Sequence, residues 1–554
     1  MRADHRRHIA ICLCTFVAVV LGGRADMPML RWLDDEKARG NLTNVAMKIL
    51  HEDKSLSYGD PKSGNILVHG DNLEALKALL PFYAGRVKCI YIDPPYNTKS
   101  AFPDYDDNLE HSIWLGIMYP RLKLLRDFLR EDGCIWISID DHEGAYLKVV
   151  CDEVFKRPNF VIQTTIQRGA ATGHKAINPT PVQVSDYMLT YAKNKSKWIY
   201  HPVYVARGYD KAYNKYIINP NDPYEEWRFG SLKELERELG KKADELIKTE
   251  SARIIRTAQP DYNAVGEETR KLIDTSIANP QRIFVQHRID RPDIYLKDGE
   301  RILFYKDKMK VVDGKLTTAE LATSIWTDMN YQGIAKEGGV KFSRSKKPES
   351  QIARVLEMST EPGDLVMDAF LGSGTTAAVA HKMGRRWIGV EMGDHCKSLC
   401  LPRLKDVVDG SDKTGVTKRY AWKGGGGFRF YELGEAILQK DGTLTEDIPF
   451  ETMAAHVWFT ETKTPYDVGR KSPVLGVKDG IAYALLYNGI LMDCRGNGGN
   501  VLTRKTLEVI DEDLKGLEYE RLVVYAEASR LMPSTLEERR IEFKQTPYDL
   551  VTRK

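Results

Sequence analysis

Residues 87–98 place a carboxylate, two prolines and an aromatic ring directly after an apolar run. The run predicts a buried strand, which the prolines end because they lack an N–H for the ladder and restrict φ. We therefore expect Asp93 and Tyr96 on a rigid loop at the carboxyl end of a strand, where open α/β sheets bind ligands. The alternative is an ordinary exit from a strand, since Asp-Pro and Pro-Pro are common at turns.

The exocyclic amine of a nucleobase is a chemical group that suits this loop. Its nitrogen is a poor nucleophile because the lone pair is delocalised into the ring. Asp93 and the Pro94 carbonyl can each accept one amine hydrogen and draw the nitrogen towards a tetrahedral shape, while Pro95 stiffens the loop. Tyr96 offers a face for the base, and such stacking contributes about 1–3 kcal/mol per base. In a duplex the base must be flipped out to reach it.

A second candidate binding turn, residues 372–374, is rich in glycine and lies between a predicted strand and a predicted helix. Glycines let the backbone approach a ligand closely. Glu391 follows about 20 residues later, at the end of the next predicted strand, where a carboxylate can bind both hydroxyls of a ribose. With Ala377 the turn also satisfies G-x-G-x-x-A, which leaves a dinucleotide dehydrogenase open. A P-loop is excluded, since no GK[ST] follows.

Predicted strands and helices alternate on both sides of an irregular middle region. The strands are expected at 65–72, 87–93, 134–139, 363–370 and 386–391. The helices are expected at 73–80 (ended by Pro81), 114–129, 146–155, after Lys347-Pro348, and at 377–383. This alternation predicts a doubly wound, Rossmann-like α/β sheet. In the middle region, prolines, asparagines and tyrosines increase and 231–248 is expected to form one charged helix.

These changes along the chain divide it into five predicted segments. They are a leader-like segment or mis-set start (1–29), the first half of the α/β domain (30–156), an insertion (157–325), the second half of the α/β domain (326–410), and a C-terminal α+β extension (411–554) that contains a glycine hinge at 424–427. The apolar run at 9–21 has the build of a signal peptide and is too short for an easy membrane span. We favour a start at Met27 or Met29.

Composition is typical of a globular protein, with 42% hydrophobic and 29% charged residues. The net charge of +3 is small, so any contact with nucleic acid needs a local basic surface. The eight cysteines contain no CxxC pair and suit free thiols in a reducing cytoplasm. His395, Cys396 and Cys400 come nearest to a metal cluster, but no second pair of ligands accompanies them.

The combined motifs resemble those of amino-type DNA methyltransferases that use S-adenosyl-L-methionine and carry the DPPY motif ahead of the glycine motif. Within this group the chain is most similar to the modification (Mod) subunits of type III restriction–modification systems. The matching stretches are 70–76, 93–98, 120–122, 138–141, 347–348, 370–376 and 425–429, within roughly 65–430.

This resemblance implies a role for each matching site residue. Asp93, Pro94, Pro95 and Tyr96 would bind the target amine and base. The cofactor site would comprise Asp71 on the adenine side, Lys347 and Pro348 at the methionine end, Asp368, Phe370 against the adenine, Gly372, Gly374, Thr375, and Glu391 on the ribose. No metal would be needed for methyl transfer. Helix capping by Asp71 and simple solvation of Lys347 are the alternatives.

The resemblance further implies methylation of adenine N6 in double-stranded DNA, because an aspartate opens the motif where cytosine-N4 enzymes usually have serine. The insertion would recognise the target sequence, and the protein would be a cytoplasmic homodimer that joins a restriction (Res) helicase-nuclease subunit and no membrane. A stand-alone methyltransferase, a cytosine-N4 enzyme and a non-catalytic specificity subunit are alternatives. An E-x-K nuclease at 461–463 is a further one, although this spacing is frequent by chance.

Overall fold

The computed structural model describes residues 29–98, 110–169, 181–331, 333–342, 346–439, 443–469, 472–492 and 498–546. The leader-like run predicted at 9–21 lies outside these residues. Within the described part of the chain, we find no helix with the length and apolar character needed to cross a membrane.

The described residues form an eleven-stranded central sheet. From edge to edge, its strands are Lys48–Glu52, Gly427–Ala436, Ile66–His69, Arg386–Glu391, Leu365–Asp368, Val87–Ile92, Leu129–Ile139, Ser185–Ala192, Phe160–Gln167 and Ile325–Trp326, and Tyr58–Gly59 also pairs with Gly427–Ala436. The six strands from Gly427–Ala436 to Leu129–Ile139 run parallel. Beyond them, Ser185–Ala192 is antiparallel to both of its neighbours.

Helices cover both faces of this sheet, because its buried strands send alternate side chains to opposite sides. One face packs against the helices Asn72–Tyr83, His111–Phe128 and Gly144–Cys151. The other packs against Glu349–Ser359, Thr375–Lys382 and Leu401–Asp409. An N-terminal helix, Asp35–Asn44, packs on His111–Phe128. The predicted doubly wound α/β fold is confirmed.

Several predicted element boundaries differ from the observed ones. The helix predicted at 73–80 spans Asn72–Tyr83 and continues through Pro81, since its packing against the sheet outweighs the lost hydrogen bond at proline. The expected single helix at 231–248 is two helices, Leu232–Leu239 and Ala243–Thr249, because Gly240 adopts φ +64° and ends the first. The strand expected to begin at Cys134 begins at Leu129.

The middle region leaves the central sheet after Ala192 and returns at Ile325. The strands Phe160–Gln167 and Ser185–Ala192, whose residues fall within the predicted insertion, belong to the central sheet. The excursion has a six-stranded sheet (Phe229–Ser231, Lys215–Ile217, Ile254–Ala258, Glu300–Phe304, Ile294–Lys297, Ile283–Gln286), a three-stranded sheet (Met309–Val312, Lys315–Leu321, Tyr204–Ala206) and a further helix, Glu267–Ala278, among its described residues. It also has apolar clusters of its own.

The C-terminal region begins with a strand of the central sheet, Gly427–Ala436, and only then forms a separate unit. Its described residues form a four-stranded sheet (Val474–Lys478, Ile481–Leu485, Arg521–Ala526, Ile541–Gln545) and a two-stranded sheet (Val501–Leu502, Ala528–Ser529). The helices are Phe450–Thr462, Arg504–Asp513 and Pro533–Glu538. This unit mixes helices with parallel and antiparallel strands around two apolar clusters.

Candidate functional site

The two motif loops meet because the strands that carry them are neighbours. Leu365–Asp368 pairs in parallel with Val87–Ile92, so both loops leave the same edge of the sheet. They line one cleft, together with residues from three other segments. The lining residues are Tyr91, Asp93, Pro94, Pro95, Tyr96, Thr98, Asp140, Arg168, Phe342, Lys347, Ile352, Asp368, Phe370, Leu371, Gly372, Ser373, Thr375 and Thr376. A shared cleft at the carboxyl edge is the arrangement that the sequence predicted.

Contacts from neighbouring helices and loops hold the proline loop in place. Trp114 donates its indole N–H to the carbonyl of Pro95 at 2.8 Å. Asn97 follows the motif with φ +61°, a left-handed conformation that asparagine tolerates better than most residues. Its side chain is buried and donates to Glu143 at 2.6 Å, and His111 contacts the same carboxylate oxygen at 2.7 Å. The loop is therefore rigid beyond what its prolines provide.

Lys347 contacts both chemically important side chains of the proline loop. Its Nζ lies 2.8 Å from Oδ2 of Asp93 and 4.8 Å from the ring centroid of Tyr96. The second oxygen of Asp93, Oδ1, is buried and accepts no hydrogen bond of good geometry from the described residues. Burial first, and the adjacent Asp93 carboxylate second, raise the pKa of Tyr96 well above its usual value. A carboxylate and a neutral phenol therefore lie side by side at this edge of the cleft.

The glycine turn has the backbone conformation that favours glycine. Gly372 and Gly374 adopt φ +56° and +78°. The N–H of Gly372 donates to Glu391 at 2.7 Å, and its carbonyl accepts from the thiol of Cys400 at 2.9 Å. The two peptide groups that flank the Cα atom of Gly372 are therefore each tied to a neighbouring element.

Glu391 lies behind the turn and does not line the cleft. Its Oε1 accepts from the N–H groups of Met392 and Gly393 at 2.9 and 3.1 Å, and His395 contacts the same oxygen at 3.1 Å. Burial raises the pKa of Glu391, but the contacts with His395 and the backbone N–H groups outweigh burial and lower the pKa below its usual value. These contacts anchor the turn, and the predicted contact with a ribose stays a prediction.

Asp368 is a buried acid at the centre of the cleft. Its Oδ1 accepts from the N–H of Phe370 at 2.9 Å, and its Oδ2 from the hydroxyl of Thr376 at 2.6 Å. Burial is the main reason that the pKa of this carboxyl is raised to about 7. The two hydrogen bonds lower the pKa, and the nearby carboxylates of Asp93 and Glu391 raise it. The carboxyl is therefore partly protonated near neutral pH.

Asp368→Asn is expected to raise the melting temperature of the ligand-free protein more at about pH 8 than at about pH 5. The pKa is higher in the folded state (about 7) than the ordinary 3.8, so the folded state holds a proton that the unfolded state releases. Stability therefore falls as pH rises through this window. The amide cannot ionise. Its oxygen can still accept from the N–H of Phe370, and its NH2 group can donate to the hydroxyl of Thr376. Thermal unfolding across this pH range measures the effect, and parallel curves for the two proteins would contradict the raised pKa.

Three other predicted cofactor residues lie just outside the cleft lining. Asp71 caps the Asn72–Tyr83 helix, where its Oδ1 accepts from the N–H groups of Leu73 and Glu74 at 2.9 and 3.2 Å. Its Oδ2 accepts from Arg121 at 2.9 Å. Pro348 and Gly374 occupy the N-cap positions of Glu349–Ser359 and Thr375–Lys382. Their roles towards a cofactor stay predictions.

The cleft also contains residues that the sequence analysis did not select. Asp140 follows the Leu129–Ile139 strand at the same edge, a position that could have identified it. Arg168 falls within the predicted insertion and Phe342 lies beyond its end. Neither residue belongs to a motif, so only the fold brings them to the cleft. The ring of Phe342 contacts that of His395 in a tilted arrangement, with centroids 5.2 Å apart.

The possible metal cluster around His395 and the E-x-K stretch at 461–463 are explained by contacts within the protein. His395 pairs with Glu391, while Cys396 and Cys400 are buried free thiols. In the E-x-K stretch, Glu461 pairs with Lys544 at 2.9 Å. Among the described residues, no group of three or more His, Cys, Asp or Glu side chains could hold a metal ion.

Comparisons with known proteins agree with this geometry. A family model described as DNA methylase matches residues 87–400, more than half of the chain. The chain is 33% identical to the probable type III restriction-modification enzyme HindVI Mod subunit of Haemophilus influenzae, over 69% of this chain and 55% of that protein. It is 30% identical to the EcoPI Mod subunit of Escherichia phage P1, over 64% and 60%.

The chain thus spans little more than half the length of these curated relatives. A solved structure, the DNA modification methylase TTHA0409 of Thermus thermophilus complexed with S-adenosyl-L-methionine, is similar over 67% of this chain and all of that one, with 15% identity and a TM-score of 0.31. The family match covers both motif loops and the strands that carry them. The chain belongs to the DNA methylase family.

Proposed function

We propose that this protein is a site-specific DNA methyltransferase that transfers a methyl group from S-adenosyl-L-methionine to adenine N6. The observation that carries the proposal is the common cleft of the proline loop and the glycine turn. Methyl transfer needs a bound acceptor and a bound donor held in line, and such positioning supplies much of the acceleration. The family match supports the same reaction class.

In this proposal the proline loop binds the target base. Asp93 Oδ1, which is buried and accepts no well-formed hydrogen bond from the described residues, would accept one hydrogen of the amine. The carbonyl of Pro94 would accept the other. Tyr96 would stack on the base after it leaves the duplex. Lys347 holds Asp93 Oδ2 at 2.8 Å and so orients the carboxylate with its other oxygen available.

The glycine turn has features that fit S-adenosyl-L-methionine. Gly372, Ser373 and Thr375 line the cleft, and the half-buried Phe370 offers an apolar surface beside Asp368. The positive φ of Gly372 favours glycine, so the turn has no side chain where the ligand would approach. When bound, this cofactor supplies the methyl group as part of a sulfonium. The chain's own residues supply binding and orientation.

A methyl-transfer assay with nucleoside analysis tests the proposal. Purified protein is incubated with unmethylated genomic DNA and S-adenosyl-L-methionine labelled in the methyl group, and the digested nucleosides are separated by mass spectrometry. N6-methyladenine is the expected product. N4-methylcytosine would reverse the base assignment. Absence of methylated base despite DNA binding would favour a non-catalytic specificity subunit.

The similar Mod subunits suggest the wider assembly. We propose that the protein is a homodimer that binds double-stranded DNA and a restriction subunit. We also propose that it is cytoplasmic, because its described cysteines are free thiols and its proposed substrate is cellular DNA. Co-purification with the product of a neighbouring helicase-nuclease gene tests the partner. Methylation by a protein that has no such gene beside its own would instead indicate a stand-alone enzyme.

Target recognition is proposed to lie in the excursion between Ala192 and Ile325. Replacing residues 194–323 with the corresponding part of a related Mod subunit is expected to change the methylated sequence and to leave the methylated atom unchanged. These limits keep all strands of the central sheet, unlike a swap that begins at residue 157. Single-molecule sequencing of modified DNA measures the outcome. An unchanged sequence motif in an active chimera would assign recognition to another region.

A further inference from the structure

Four charged side chains are buried together behind the glycine turn. They are Glu349, Lys382, Arg403 and Asp412, and the exposed fraction of each side chain is 2% or less. Lys382 lies 2.8 Å from Glu349 and 2.6 Å from Asp412, and Arg403 lies 2.7 Å from Glu349. Two positive and two negative charges therefore balance within one cluster.

Arg403 links this cluster to the turn. Its NH1 group donates to the carbonyl of Ser373 at 3.0 Å and to the hydroxyl of Thr375 at 2.8 Å. Its NH2 group donates to Glu349. One guanidinium therefore spans the turn and the carboxylate, a geometry that the planar fork of arginine allows and an ammonium does not.

Glu349 links the same cluster to the other predicted cofactor segment. It is the first residue of the Glu349–Ser359 helix and follows Lys347-Pro348 directly in the sequence. Its Oε2 also accepts from the N–H of Val416 at 3.0 Å. The segment that ends in the cleft at Lys347 and the glycine turn are thus connected by two side chains, Glu349 and Arg403.

The surrounding backbone is shaped to admit these charges. Gly415 lies so close to the carboxylate of Glu349, and Gly338 so close to Arg403, that a Cβ atom at either position would collide with the charged side chain. Burying charged groups is costly even when they are paired, and apolar replacements are often as stable. Stability alone is therefore a poor reason for the cluster, whereas fixing the turn is a direct consequence of its contacts.

We infer that Arg403, held by Glu349, is a positioning residue that sets the affinity of the glycine turn for the methyl donor. The inference rests on the proposed function. It predicts that loss of the Arg403 side chain weakens donor binding and leaves DNA binding unchanged, because the contacts of Arg403 reach the turn and not the proline loop.

Arg403→Met tests the inference in the full-length protein. We expect the KM for S-adenosyl-L-methionine to rise about tenfold or more, since the turn loses the charged hydrogen bonds that Arg403 donates to Ser373 and Thr375. The KM for unmethylated genomic DNA should stay within about twofold. Arg403→Lys keeps the charge but loses the fork, so an intermediate KM for the donor is expected. Calorimetric titration with S-adenosyl-L-methionine alone should rank the affinities in the same order, with the wild-type protein tightest, Arg403→Lys intermediate and Arg403→Met weakest.

Lys544→Met is the matched control, because Lys544 forms an ion pair of similar burial with Glu461 in the C-terminal unit. It should leave both KM values unchanged even if the melting temperature falls. An unchanged donor KM in folded Arg403→Met overturns the inference. If that variant does not fold, Arg403→Lys decides in its place: a donor KM above wild type supports the inference and an equal one overturns it. A wild-type protein that binds no donor overturns the proposed function and the inference together.

Discussion

Asp93→Ala is expected to reduce methyl transfer by about 10²–10³-fold or more, with S-adenosyl-L-methionine binding changed by less than about threefold. In the proposed reaction Asp93 accepts a hydrogen from the amine as positive charge develops on the nitrogen. Removing one preorganised hydrogen-bonding group from a water-excluded site typically costs this much in rate. The donor contacts are assigned to the neighbouring glycine turn, so donor binding should survive. Single-turnover rates and calorimetry measure the two quantities separately.

Asp93→Ala also leaves Lys347 without its carboxylate partner, so the control must remove a lysine–carboxylate pair as well. Asp132→Ala is suitable, because Asp132 pairs with the buried Lys88 at 2.9 Å near the start of the Val87–Ile92 strand. It removes a lysine–carboxylate pair close to the same strand without touching the cleft. We expect near-normal methyl transfer from Asp132→Ala. Equal loss of donor binding and transfer in Asp93→Ala would show that Asp93 is a structural residue at the end of its strand.

The sequence was sufficient to predict both motif loops, because local chemistry determines them. Prolines end the Val87–Ile92 strand irrespective of the rest of the fold, and the turn at Gly372 needs a positive φ. Alternation of strands and helices then restricts the topology to parallel neighbours. These local rules placed the two loops at one edge of the sheet, and the observed cleft agrees.

The remaining features depend on contacts between distant parts of the chain, which no local pattern encodes. Lys347 meets Asp93 across 254 positions, and Arg403 meets Glu349 across 54. Both arginine and lysine are expected on surfaces, so nothing in the sequence singled out their burial. The edge of the insertion was misplaced for a similar reason. Strands 160–167 and 185–192 join the central sheet by antiparallel pairing. They therefore break the βα alternation from which the sheet was predicted.

Gly372→Val is expected to weaken S-adenosyl-L-methionine binding by about 100-fold or more. A β-branched residue at φ +56° is strained by about 1–2 kcal/mol, which alone would distort the turn. The nearest atoms to a Cβ at this position belong to the ring of Phe342, at 3.8 Å, and Phe342 itself lines the cleft. The folded protein can therefore accept the Cβ, but the valine methyl groups would grow into the space proposed for the donor.

Gly384→Val controls for the stability that is lost when valine occupies a left-handed position. Gly384 adopts φ +71° in the turn after the Thr375–Lys382 helix, and a Cβ there would meet no atom within 4 Å. Both variants should lose similar stability in thermal unfolding, since both place valine in the left-handed region. Only Gly372→Val should lose donor binding in calorimetry. If the two variants bind the donor equally well, the turn at Gly372 is a structural feature and the donor lies elsewhere in the cleft.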